Sequence, residues 1–232
     1  MQTKPSFLAN LISTAYNFAI PSNQTILATL PENLGYVLED TNSGIIRIVV
    51  TGTKNAKDWM EDSEFKLETT KFGNVHEGFN NDFNAVYSAI NNTLNNIINS
   101  KEKQYEITGH SLGSPIAIQI SLSILDTFTK PANTKLVLFA CPNPGDITFK
   151  NYVQDKLANV EKYSFANEAD IVPKVPLGFG YLSAIDHILF NDPYHIKYGL
   201  FNIPDVVLNH SIDTYTKNSD NALEIHLNNL TK

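Results

Sequence analysis

Apolar residues along the chain follow two rhythms. Phe79, Phe83, Val86, Ile90, Leu94 and Ile97 step by three or four, with Asn and Ser filling much of the space between them, so the spacing predicts a long amphipathic helix with a solvated polar side. Short apolar runs behave differently. Ile45 to Thr51 reads as a buried strand by its length and β-branching, and Tyr105 to Thr108, Lys135 to Ala140 and Glu161 to Ala166 read as further short strands. Helical patterns separate them: Pro115 to Leu125, with Pro in the first turn where its missing N–H costs nothing, and Asp146 to Val160. Ahead of these, Pro5 to Tyr16 predicts a short surface helix, whereas Lys54 to Asn74 is charged and irregular. Alternating strands and helices predict an α/β fold with a mostly parallel central sheet flanked by helices, and chemistry in the loops at the carboxyl ends of the strands. No repeat or low-complexity linker divides the chain, so residues 1–232 read as a single domain.

Composition narrows the function classes. With 42% hydrophobic residues, 13 Phe and 10 Tyr among 232 residues, there is material for a real core, which excludes wholesale disorder. A net charge of −7 argues against nucleic acid as a partner, and a single Cys excludes an intramolecular disulfide framework. No stretch approaches the ~20 apolar residues of a membrane span. Phe7 to Ile20 is apolar enough to test as a leader, but only Lys4 is basic and Asn10, Ser13, Thr14 and Asn17 interrupt the run. The sequence therefore favours a cytoplasmic setting, with leaderless secretion as the alternative. Sequons at Asn23, Asn91, Asn209 and Asn229 are expected by chance in an Asn-rich chain.

Gly109-His110-Ser111-Leu112-Gly113 matches G-x-S-x-G between a predicted strand and a predicted helix. That is the context of a nucleophile elbow, a turn so sharp that Gly flanks the Ser on both sides and leaves its hydroxyl above the sheet. With about 7% usage for each fixed residue, chance supplies fewer than about 0.1 such matches in a chain of this length, and the flanking strand and helix make it rarer still. A Ser hydroxyl is a poor nucleophile near neutral pH, so it requires a His base and a carboxylate to orient the base, in chain order Ser, acid, His. Asp126, Asp146, Asp155, Glu161, Glu168, Asp170, Asp186, Asp192 and Asp205 all lie in the permitted interval. Asp170 is favoured because it falls just past the strand Glu161 to Ala166. For the base, His76 and His110 are excluded by order, leaving His187, His195, His210 and His226. His210, reached through a predicted loop, suits a base, yet position alone leaves it evenly balanced against the other three.

Beyond the elbow, Val50-Thr51-Gly52-Thr53, Asp58-Trp59, His76-Glu77-Gly78-Phe79, Ile107 to Gly113, Phe139-Ala140-Cys141-Pro142 and Asn167 to Pro173 follow one another in an order that resembles the blocks of the class 3 (fungal-type) lipases. The resemblance runs from about Leu34 to Tyr215 and implies an α/β-hydrolase fold. It implies Ser111, Asp170 and His210 as nucleophile, acid and base, the His-Ser-x-x-x-Tyr run at His210 being similar to the family's last block. It further implies an oxyanion hole from the backbone N–H of Leu112 and from Thr53, and a lid over Thr53 to Asp62 with Trp59 against the substrate. Three positions depart from the family pattern: Ser114 stands where Gly is usual, Thr51 where Arg is frequent, and Asn143 where Cys-Pro-Arg would end. The charged lid, with Lys54, Lys57, Asp58, Glu61 and Asp62 around Trp59 and Met60, predicts weak interfacial activation.

The expected activity is that of a serine carboxylic-ester hydrolase, a lipase or esterase cleaving acyl esters of glycerolipids, free or micellar, through an acyl-enzyme. Alternatives are an esterase for feruloyl or short acyl esters and a non-catalytic lipase-like interaction domain. No His-Glu-x-x-His, Cys-x-x-Cys, P-loop or dinucleotide fingerprint occurs, so no metal or other cofactor is implied. Cys141 reads as a small buried hydrophobe.

Overall fold

The computed structural model describes residues 3–52, 66–100, 103–127, 134–178, 180–198 and 201–231. Eleven strands are named among them: β1 (Gln24–Thr29), β2 (Gly35–Asp40), β3 (Ile46–Val50), β4 (Leu67–Thr70), β5 (Gly73–His76), β6 (Tyr105–His110), β7 (Thr134–Phe139), β8 (Glu161–Asn167), β9 (His187–Phe190), β10 (His195–Tyr198) and β11 (Phe201–Pro204). The longer helices are α1 (Pro5–Tyr16), α2 (Glu77–Ser100), α3 (Gly113–Thr127), α4 (Ile147–Lys156), α5 (Val206–His210) and α6 (Ile212–Leu230). Seven strands form one sheet in the order β1-β2-β3-β6-β7-β8-β9. β1, β2 and β3 pair antiparallel, and from β3 to β9 every neighbour is parallel. Both β4–β5 and β10–β11 are separate antiparallel hairpins.

Two-residue alternation in the central strands divides the core between the faces of this sheet. Ile46, Ile48, Val50, Ile107, Leu136 and Leu138 pack with Phe79, Val86, Ile90 and Leu94 of α2 and with α3. Val49, Val137, Phe139 and Phe165 point the other way, onto Leu8, Leu11 and Ile12 of α1 and Tyr215 of α6. β6 and β7 are buried along their full length, as strands covered on both faces must be.

Helix α1 is a packed core helix, where the sequence suggested a surface one: Leu8, Ala9 and Ile12 have no exposure at all. Its polar residues misled because they serve α6. The backbone N–H and hydroxyl of Ser6 donate to the two carboxylate oxygens of Asp220 at 2.8 and 2.7 Å, and the Ser13 hydroxyl donates to Asp213 at 3.0 Å. Asp220 thereby does for the amino end of α1 what a capping side chain would, since the side chain of Lys4 at the N-cap position makes no capping hydrogen bond. At the amino end of the parallel strands Arg47 is buried, with Nε donating to Glu106 and Nη1 to Asp40, each at 2.8 Å, so four strands are tied by one guanidinium once Gln24 is included at 3.2 Å. The predicted helix from Asp146 begins one residue later, because Asp146 is its cap and accepts from the N–H of Thr148 and Phe149. Among the described residues, no helix is long and apolar enough to cross a membrane.

Candidate active site

Ser111 follows β6 directly and precedes α3, so the strand carries it to the carboxyl edge of the sheet. Its φ of 55° lies in the left-handed region, a strained conformation for a residue with a Cβ. The flanking glycines are required by space. A Cβ on Gly109 would stand 2.5 Å from the carbonyl oxygen of Gly113, and one on Gly113 would stand 2.5 Å from the carbonyl oxygen of Thr51. Ser114, where the family usually has Gly, fits nonetheless: its side chain is buried and its hydroxyl donates to the Phe139 carbonyl at 3.1 Å. The Ser111 N–H donates to the same carbonyl at 2.9 Å.

Asp170 lies three residues beyond β8, turned back by a hydrogen bond from its N–H to the Asn167 carbonyl. Its Oδ1 accepts from the Val172 N–H at 2.9 Å, and its Oδ2 accepts from the Tyr215 hydroxyl at 2.7 Å. Tyr215 is fully buried, and burial followed by the Asp170 charge holds its hydroxyl well above the ordinary range, so it stays a donor. The same hydroxyl accepts from the Asn167 N–H at 3.1 Å. The Asn167 side chain braces the region further, donating to the carbonyls of Asp192 and Asn209 at 3.1 and 3.3 Å.

His210 ends the short helix α5, where the sequence suggested a loop. Asp205 is the reason: its carboxylate accepts from the Leu208 N–H at 3.0 Å and starts one turn of helix. The His210 ring bridges the other two groups, with Nδ1 2.8 Å from Asp170 Oδ2 and Nε2 2.8 Å from Ser111 Oγ. The carboxylate can only accept, so Nδ1 carries the proton and Nε2 faces the serine as acceptor.

His187, His195 and His226 do not join this group. His187 bonds to the hydroxyls of Ser164 and Ser183 at 2.9 and 3.3 Å, and burial lowers its pKa. His195 is exposed on β10 and His226 lies half-buried on α6. Leu112 sits at the turn into α3, where the first N–H groups of a helix lack intrahelical acceptors. Thr53, Trp59 and the rest of the expected lid lie outside the described residues. The thiol of Cys141 is buried, which pushes its pKa up and leaves it unreactive.

Two residues that order-based reasoning excluded or passed over stand against the group. His110 is buried with its ring centroid 4.8 Å from that of His210, and its Nε2 is 2.9 Å from the His210 carbonyl oxygen. Burial, then the neighbouring His210, hold it well below the ordinary imidazole range. Its Nδ1 is 2.8 Å from the hydroxyl of Tyr16, at the end of α1. A Cβ on Gly52, just past β3, would stand 2.7 Å from the Cβ of Ser111, so this strand end lies against the serine. Beside it a cavity of about 400 Å³ is lined by Tyr16, Phe18, Leu34 and Thr51. The sequon at Asn209 is not usable: the residue has no exposure and its amide is spent on the N–H and carbonyl of Tyr194, at 2.7 and 3.1 Å.

A buried serine, imidazole and carboxylate in series can transfer a proton from the hydroxyl and stabilise the imidazolium that results. Residues 47–179 match the family described as Lipase (class 3). No curated protein matches the chain by sequence. Among solved structures the chain is similar to the Lip2 lipase of Yarrowia lipolytica, with 22% identity over 82% of this chain and 78% of that one and a TM-score of 0.67. It is similar to the triacylglyceride lipase of Rhizomucor miehei, with 23% identity over 81% of this chain and 78% of that one and a TM-score of 0.68. A lipase of Rhizopus microsporus var. chinensis aligns with a TM-score of 0.66 at 19% identity, covering 76% of this chain and 69% of that one. These likenesses establish the α/β-hydrolase fold.

Proposed function

This chain belongs to the class 3 lipase family, and from that premise we propose that it hydrolyses acyl esters of glycerolipids with Ser111 as nucleophile, His210 as general base and acid, and Asp170 as the carboxylate that orients the base. The observation that carries the reading is the unbroken series from Ser111 Oγ through His210 to Asp170 Oδ2, with both links at 2.8 Å. As Ser111 Oγ forms its bond to the ester carbonyl carbon, its proton passes to His210 Nε2 and the carbonyl oxygen becomes an oxyanion. Asp170 stays ionised and stabilises the imidazolium. The backbone N–H of Leu112 and Thr53 are the proposed donors to that oxygen, each contributing on the order of 3 kcal/mol. Collapse breaks the bond to the alcohol, which leaves with the proton from His210. Water then attacks the acyl-Ser111, gives its proton to His210, and releases the fatty acid as the serine recovers that proton.

An apolar acyl chain suits the surroundings. Val206, Val207 and Leu208, on the helix that ends in His210, are 40, 74 and 47% exposed, an apolar rim beside the base. Trp59 is the proposed lid contact for the same chain. A series of p-nitrophenyl esters from acetate to palmitate tests the reading, with turnover expected in the wild type and only background in Ser111→Ala. Equal rates for the two proteins would overturn it.

A further inference from the structure

Burial and the neighbouring His210 keep the His110 ring neutral, and for a neutral ring the hydrogen bonds around it take one direction. The His210 carbonyl can only accept, so His110 Nε2, 2.9 Å away, carries the ring proton. A neutral imidazole has one such proton, so Nδ1 is an acceptor and the Tyr16 hydroxyl donates to it at 2.8 Å. The Tyr16 oxygen in turn accepts from the Gly52 N–H at 2.7 Å. One directed chain therefore runs from the Gly52 N–H to Tyr16, to His110, and to the main chain of His210.

Each end of this chain touches the proposed machinery. Gly52 packs on Ser111 and immediately precedes Thr53; His210 is the proposed base. Helix α1, which supplies Tyr16, is fixed through Ser6 and Asp220 to α6, the helix that follows His210. We propose that the Tyr16 hydroxyl is a positioning group that sets, through one hydrogen-bond chain, both the strand end beside Ser111 and the main chain of His210. The proposal rests on the assignment of Ser111 and His210 above. It also gives His110 a purpose. Burial and the neighbouring His210 keep the ring uncharged, and the Tyr16 hydroxyl satisfies its bare Nδ1, so no cation stands against His210 when that residue takes up the serine proton. The groups facing His110 are Tyr16, His210 and the ring of Tyr215, at a centroid distance of 6.0 Å from His110.

Two measurements test this. In Tyr16→Phe, kcat for p-nitrophenyl butyrate should fall about tenfold with KM within about twofold, since the hydroxyl acts on positioning and not on substrate binding. The second uses ¹⁵N-histidine NMR of the wild type, with His110 assigned by its loss in His110→Gln. It should show a protonated Nε2 and an accepting Nδ1 that do not titrate between pH 5.5 and 8, and in Tyr16→Phe the Nδ1 resonance should move. A folded Tyr16→Phe with wild-type kcat overturns the proposal, as does an Nδ1–H tautomer or a titrating His110 in the wild type. If Tyr16→Phe does not fold, the wild-type tautomer alone decides. The NMR readout requires no turnover, so failure of the esterase reading, seen as activity surviving in Ser111→Ala, is distinguishable from failure of this one.

Discussion

Replacing Gly52 by alanine is the sharpest perturbation the site offers, because it adds one methyl group and removes nothing. That methyl would stand 2.7 Å from Ser111 Cβ, 2.9 Å from the His110 carbonyl oxygen and 2.9 Å from the Tyr16 hydroxyl. Carbon atoms rest at about 3.5 to 4.0 Å, so the overlap with Ser111 alone is roughly 0.8 Å or more. The three neighbours belong to the elbow, to β6 and to α1, so no single rotamer change relieves it and the strand end must move. Overpacking of this kind costs about 1 to 3 kcal/mol, or several degrees in Tm for a chain of this size. The larger effect is on rate. A displacement of about 1 Å at a reacting centre costs on the order of a hundredfold, so a shift of roughly half that should lower kcat by tenfold or more. Steady-state kinetics on p-nitrophenyl butyrate and a thermal melt measure both. Gly44→Ala is the control: it also strains the chain, at φ +70°, but no atom lies within 4 Å of the added Cβ, so it should lose stability and keep its rate. Wild-type kcat in Gly52→Ala would refute the reasoning that this strand end is part of the reacting geometry.

Other expectations follow from the same contacts. Tyr215→Phe removes the hydroxyl that donates to Asp170 and leaves the buried Asn167 N–H without its acceptor, so urea unfolding should show a loss of about 2 to 4 kcal/mol; an unchanged midpoint would contradict this. Ser111→Gly should abolish turnover while raising stability by about 1 kcal/mol, because glycine adopts φ 55° without strain; a less stable variant would show that the turn is not strained. His76, His110 and His187 are all held below their ordinary pKa by burial. The unfolded chain therefore binds more protons than the folded one as pH falls below ~6.5, and stability should decline by up to about 1.4 kcal/mol per pH unit for each histidine. Urea midpoints measured from pH 8 to 5 check this, and a flat profile would count against the burial of these rings.

The legible parts of the molecule were those that local geometry dictates. The elbow was readable because sharp turning demands Gly109 and Gly113, and α2 because its apolar step persists for several turns. Asp170 followed from strand order. His210 was ambiguous on position because four histidines satisfied the same order, and its short helix was missed because one Asp205 cap is a weak signal. β1 escaped because its pairing with β2 shifts register between Ile26 and Ala28, which breaks the alternation that marks a strand. The β4–β5 hairpin escaped because its strands are four residues each and mostly polar. Tyr16 was illegible for a different reason: it reaches His110 across 94 residues, and nothing local to it announces the partner.

The pairing of α1 with α6 has a further meaning for how the protein comes into being. Ser6 and Asp220 are 214 residues apart, so during synthesis α1 is complete long before the surface that covers it exists. Until α6 emerges, α1 and the Phe139 and Phe165 face of the sheet have each other but lack the cover of Ile212, Tyr215 and Ala222, and this interval is when aggregation competes with folding. The emergence of α6 caps α1 and delivers Tyr215 to Asp170. Chains halted before that point would carry Ser111, Asp170 and His210 without the Tyr215 hydroxyl on the carboxylate, so hydrolysis doubles as a report that α6 has been made and docked.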